Sequence, residues 1–99
     1  MSLAEFDFVI AGAGSAGCVL ANRLSENPAN RVLLLEAGPT DNNIFVRMPA
    51  GVASLITKKN PRNWGFETEG SPQMKNRKDY WPRGKGLGGS SSINGMVYI

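Results

Sequence analysis

The stretch FDFVIAGAGSAG, Phe6 to Gly17, decides the fold. Its apolar run, Phe8-Val9-Ile10-Ala11, leads directly into Gly12-Ala13-Gly14-Ser15-Ala16-Gly17, a G-x-G-x-x-G that opens a segment bearing alanine and leucine at helical spacing. Strand, glycine turn and helix in that order form the first half of a dinucleotide cradle. Gly12 turns the chain off the strand, Gly14 lets the backbone approach a pyrophosphate, and Gly17 lets the helix pack closely on the strand. The phosphates are then held by free N–H groups at the helix N-terminus, where the helix dipole also favours negative charge.

Outward from this stretch, a second apolar run, Arg31-Val32-Leu33-Leu34-Leu35, ends in Glu36, which follows Gly17 by 19 residues. The fingerprint expects an acid about 20 residues on, where its carboxylate accepts hydrogen bonds from ribose hydroxyls and repels a 2′-phosphate. The competing explanation is a βαβ unit whose glycines merely pack. The pattern predicts a strand from Asp7 to Ala11, apolar on both faces as in a buried parallel sheet. It predicts a helix from Ser15 to Leu24 with Ala16, Val19, Leu20 and Leu24 as its apolar stripe. Ser25-Glu26-Asn27-Pro28-Ala29-Asn30 stops that helix, and the Arg31 to Glu36 strand returns to give a right-handed βαβ crossover. The fold class is therefore α/β, Rossmann-like, with residues 1–38 as the cradle.

Composition narrows the remaining classes. The chain has 99 residues, 41% of them hydrophobic and 19% charged, and no apolar run of membrane-spanning length. Its N-terminus lacks the basic and apolar regions of a secretory signal and reads as cytoplasmic, with peripheral membrane association of a longer protein left open. The single cysteine, Cys18, can form no internal disulfide and is expected to pack in the first helical turn, its alternative being a redox role. The net charge of +3 is concentrated in Lys75, Arg77, Lys78, Arg83 and Lys85, beside Tyr80 and Trp81. Nucleic-acid binding would use such a stretch, but a solvated loop partly facing an anionic ligand is the preferred reading.

Residues 39–80 change character: polar clusters, prolines and no sustained periodicity mark an irregular cover segment, with a short helix near Ala50 to Ile56 and a short strand within Asn63 to Thr68. Residues 81–99 are the second informative stretch. WPRGKGLGGSSSINGM, Trp81 to Met96, holds five glycines and three serines in 16 residues. Ordering so flexible a segment is costly. A backbone wrapping closely round a flat or charged ligand explains it; a flexible linker would not carry Trp81, Leu87, Ile93 and Met96. Val97-Tyr98-Ile99 ends within an apolar run, which leads to the expectation of a longer parent chain with the substrate domain elsewhere.

FDFVIAGAGSAGCVLANRLSENP, LLLEAGP, NWGFETEGSP and WPRGKGLGGSSSINGMVYI together resemble the N-terminal part of the glucose–methanol–choline (GMC) family of FAD-dependent oxidoreductases, from Phe6 to Ile99. The resemblance implies that Gly12, Gly14, Ser15, Ala16 and Gly17 hold the FAD pyrophosphate and that Glu36 and Ala37 meet the adenosine ribose. It implies that Gly86 and Gly88 lie along the cofactor, that Asn94, Gly95, Met96 and Val97 contact the flavin end, and that Trp64 covers part of the cofactor. Some members attach FAD through a histidine just before the asparagine of this block; Ile93 stands there, so FAD is expected to be non-covalent. The implied activity is oxidation of a small primary alcohol, choline-like or aryl or alkyl, with a histidine base that this histidine-free chain does not contain. From the first fingerprint alone, NAD or a stand-alone nucleotide-binding module are the alternatives.

Overall fold

The computed structural model describes residues 4–97. Strand β1 (Phe8–Ala11), helix α1 (Ser15–Ser25) and strand β2 (Val32–Leu35) form the expected βαβ unit. The strands pair in parallel, Phe8 with Val32 through Ala11 with Leu35. Asp7 closes the unit at its start: its N–H donates to the Arg31 carbonyl at 2.9 Å, and its side-chain oxygen accepts the Arg31 N–H at 2.7 Å. After α1, the Asn27 side chain accepts the Ala29 N–H at 3.0 Å and the Asn30 amide donates to the Leu24 carbonyl at 2.8 Å. The Asn-Pro turn thus satisfies groups that the helix end leaves open.

Three details of the unit differ from expectation. β1 is not buried on both faces: Ile10 is buried, whereas Phe8 is 39% and Val9 60% exposed. The sheet has two strands, with α1 packed against it. The helix also presents a different face. Gly17 is buried and Ala21 and Leu24 are half-buried, while Ala16, Val19 and Leu20 point outward. The cause is local: a Cβ on Gly17 would lie 1.9 Å from the Gly12 carbonyl oxygen, so the helix approaches the turn through this bare position and rotates its small face inward. Cys18, expected to pack, is exposed, with its thiol 3.2 Å from the Ala13 carbonyl.

The cover segment holds more structure than its sequence suggests. Asn43 caps a four-residue helix, α2 (Ile44–Arg47), by accepting the Phe45 N–H at 2.8 Å. A 3-10 turn over Pro49–Gly51 leads into α3 (Val52–Ile56), where a helix was expected. β3 (Phe66–Glu67) pairs antiparallel with β4 (Tyr80–Trp81), and beyond it Lys75 and Asn76 adopt left-handed backbone in the intervening turn. A strand within Asn63 to Thr68 was expected; its partner was not. No helix among the described residues is long and apolar enough to cross a membrane.

One polar residue holds this segment together. Asn63 is fully buried. Its amide donates to the Leu55 carbonyl at the end of α3 and to the Tyr80 hydroxyl, each at 2.9 Å. Its Oδ1 accepts the Gly65 N–H at 2.9 Å and the Arg83 N–H at 3.0 Å. Every strong donor and acceptor of the side chain is used, so its removal strands several buried groups at once. Asn63→Ala is expected to lower the unfolding free energy of the chain by roughly 2–3 kcal/mol. Urea denaturation measures this, and a loss below about 0.5 kcal/mol, the range of ordinary surface changes, would show that water replaces the network freely.

Candidate functional site

The two glycine-rich stretches, far apart in sequence, meet backbone to backbone. Gly88 N–H donates to the Ala13 carbonyl at 2.7 Å, and a Cβ on Gly89 would lie 2.9 Å from Gly14 Cα. The Ser15 and Ser91 hydroxyls meet across the same contact. A second contact lies behind it, where a Cβ on Gly38 would be 2.3 Å from the Gly86 nitrogen. Gly86 has φ +144° and Gly88 φ +89°, conformations that side chains other than hydrogen rarely adopt.

Between these stretches lies a groove of about 700 Å³, within the roughly 300–1,000 Å³ typical of small-molecule sites. Ala11, Gly12 and Gly14 line it from the β1–α1 turn, and Leu35, Glu36 and Ala37 from the end of β2. Trp64 and Phe66 form an aromatic wall, their rings nearly parallel at 7° with centroids 5.8 Å apart. Arg83, Gly84, Gly89 and Ser90 complete the lining from the second glycine-rich stretch.

Glu36 is wired into this frame. One carboxylate oxygen accepts the Ala13 N–H and the other the Gly38 N–H, both at 2.8 Å. The Ala13 hydrogen bond is the main reason its carboxyl is held below the ordinary glutamate value; partial burial pushes the other way, and the Gly38, Ala37 and Gly86 amides lower it further. The group is therefore a carboxylate at neutral pH. Each oxygen keeps a lone pair for a further donor.

Gly14 is the most telling position. Its backbone is ordinary, with φ −74°, and a Cβ built there would meet nothing within 4 Å. Neither strain nor packing within the chain asks for glycine here. The helix it precedes has no side-chain cap and no acidic residue in its first turn, so its leading N–H groups are free of side-chain acceptors. Gly17, Gly84 and Gly89, in contrast, are bare because another part of the backbone fills the space.

Of the residues singled out in the sequence, Gly12, Gly14, Glu36, Ala37 and Trp64 line the groove. Ser15 and Ala16 open the helix beside it, and Gly17 packs on Gly12. Gly86 and Gly88 lie behind the lining and shape the loop. Asn94 and Gly95 line an adjoining cleft of about 300 Å³ that shares Arg83 and Ser90 with the main groove. Met96 lines a different, smaller cleft with Phe45 and Leu55, and Val97 is 81% exposed. Ala11, Leu35, Phe66, Gly84, Gly89 and Ser90 were not anticipated in the lining, and Arg83 was anticipated only as one of the basic residues of a loop partly facing an anionic ligand. Phe66 carried a signal in its alternation with Trp64, and Gly89-Ser90 in their place within the glycine-serine run. The basic stretch is not an open stripe: Arg77 pairs with Asp79 at 2.9 Å, Lys78 with Glu67 at 3.6 Å, and Lys85 lies 4.1 Å from the Trp64 ring centroid.

A family model described as GMC oxidoreductase matches residues 6–99. The alcohol dehydrogenase [acceptor] of Pseudomonas putida is 57% identical over 94 residues, covering 95% of this chain and 17% of that protein. An oxygen-dependent choline dehydrogenase of Vibrio vulnificus is 52% identical over 95 residues, covering 96% of this chain and 17% of the relative. Among solved structures, pyridoxine 4-oxidase from Mesorbium loti superposes with a TM-score of 0.83 at 40% identity, over 96% of this chain and 18% of that one. The chain thus spans under one-fifth of the length of these relatives.

The lowered Glu36 value makes the clamp dependent on pH. With the folded pKa below the unfolded one, the folded state binds fewer protons, so the stabilisation is fully present above the ordinary glutamate value of about 4.3 and is lost as pH falls through the lowered folded value. Glu36→Gln, which cannot accept from both amides, is expected to be less stable than wild type at pH 7, with the gap narrowing toward pH 3. Parallel denaturation curves at the two pH values test this; a gap unchanged by acid would mean that the carboxylate charge does not hold the loop.

Proposed function

The chain belongs to the GMC oxidoreductase family, and we propose that it binds FAD non-covalently along the groove, as the cofactor-holding part of an enzyme that oxidises a small primary alcohol. FAD is the cofactor of this family's N-terminal domain. Gly14 carries the reading: an unstrained glycine facing open space at the start of a helix keeps room for something other than the chain. The residues present suit a dinucleotide. Leading amides of α1 would hold the diphosphate, and Gly12 and Gly14 would let it approach the main chain. Glu36 and Ala37 lie at one side of the groove, where the spare lone pairs of the carboxylate would accept ribose hydroxyls. Trp64 and Phe66 would cover the adenosine half. Asn94 and Gly95, in the adjoining cleft beyond Ser90, would meet the flavin half, with Met96 and Val97 following them.

Within this reading, residues 1–38 form the cradle, 39–80 the cover and 81–99 the flavin-contacting segment. Ile93 is 6% exposed in the core and offers no nucleophile, which supports non-covalent attachment. Bound FAD would supply the hydride-accepting ring, and this chain would bind and orient it and exclude water from its phosphates. With no histidine in the sequence, an imidazole base for the alcohol proton belongs to another part of the active enzyme.

Gly14→Val, whose Cβ meets no atom of the chain within 4 Å, should lower FAD affinity at least tenfold by filling the diphosphate's space. Glu36→Ala should weaken FAD binding by about 1–3 kcal/mol through lost hydroxyl acceptors. Flavin fluorescence titration of each variant reads both effects. FAD bound with wild-type affinity by Gly14→Val would overturn the proposed diphosphate position.

A further inference from the structure

We propose that Arg83 is the cation of the dinucleotide groove and meets the diphosphate of the bound ligand, a role additional to the helix amides and resting on the FAD reading above. Glu36 and Arg83 are the two charged residues that line the groove, and Arg83 lies with Gly84, Gly89 and Ser90 on the side contributed by the second glycine-rich stretch. It also lines the adjoining cleft, so it stands where the two compartments join. A diphosphate linking an adenosine in one to a flavin in the other crosses that junction.

Four contacts hold the residue in place. Its N–H donates to the buried Asn63 side chain at 3.0 Å, and its carbonyl accepts the Trp64 N–H at 2.9 Å. The guanidinium donates to the Pro82 carbonyl at 2.8 Å. Its central carbon sits 4.9 Å from the centroid of the Trp81 ring. Among the described residues, Arg23, Arg77 and Lys78 pair with carboxylates, whereas no carboxylate lies within ion-pair distance of Arg83. A positioned guanidinium with unused donors, beside a groove whose other charged group is an anion, suits a doubly charged diphosphate, which it can engage through two parallel hydrogen bonds. Arg83 is exposed, yet both its backbone and its head group are fixed.

Isothermal titration of the chain with FAD, ADP and adenosine, in wild type, Arg83→Met and Arg83→Lys, tests the assignment. Arg83→Met is expected to bind FAD and ADP about tenfold more weakly or worse and adenosine unchanged, and to flatten the salt dependence of ADP binding. Arg83→Lys should recover part of the loss, since it restores charge without the planar fork. Unchanged ADP affinity in Arg83→Met, with wild type binding FAD normally, would overturn the Arg83 assignment and leave the FAD reading standing. A loss for FAD but not for ADP would also overturn it, because the contact would then be to the flavin half. Wild-type chain that binds neither FAD nor ADP would overturn the FAD reading itself.

Discussion

The groove depends on main chain meeting main chain with no Cβ between. Gly17 lies on the Gly12 carbonyl, Gly89 on Gly14, Gly84 on Gly89 and Gly38 on Gly86, each closer than any real side chain would permit. These contacts draw the β1–α1 turn, the end of β2 and the second glycine-rich stretch into one frame. Glu36 secures the frame with charge-assisted bonds to Ala13 and Gly38, so the acid that would face a ribose also holds the turn that would face a phosphate. Binding surface and structural clamp are then one carboxylate.

The wall opposite is built differently. It rests on a buried asparagine, with Asn63 joining the end of α3, the β4 tyrosine and the Arg83 backbone. Trp64 follows it in sequence and Arg83 hangs from it, so the aromatic cover and the guanidinium are placed by the same polar hub. Such a network tolerates little: satisfied, it specifies one arrangement of an otherwise irregular segment, and broken, it leaves buried groups without partners. This is how a stretch without long helices or strands can still present side chains at defined positions.

Much of the cradle was legible in the sequence because it follows from short-range rules. Apolar runs at strand length, glycines at fixed offsets and an acid 19 residues later place β1, α1, β2 and Glu36 with boundaries within a residue or two. The face that α1 turns inward was not legible, since it depends on how closely Gly17 approaches Gly12 and not on hydrophobic period. β3 and β4 have two residues each, too few to show alternation, and they exist because Asn63 and Thr68 organise their ends. Asn63 itself gave no sign: a polar residue beside a proline-containing loop reads as solvent-facing, and only tertiary structure reveals that it is the most buried side chain of the cover. In the second glycine-rich stretch, composition pointed to close backbone approach, but the partner turned out to be the first glycine turn, with Gly86 and Gly88 shaping that contact while Gly89 and Ser90 face the groove.

The central claim is that both glycine-rich stretches clasp a single ligand. Amide chemical shifts of the isotope-labelled chain, followed during titration with ADP, test it most directly. The account predicts that the N–H signals of Gly14 and Ser15 move together with those of Gly89 and Ser90, along one saturation curve. Movement confined to the first pair, or two curves with different midpoints, would contradict it.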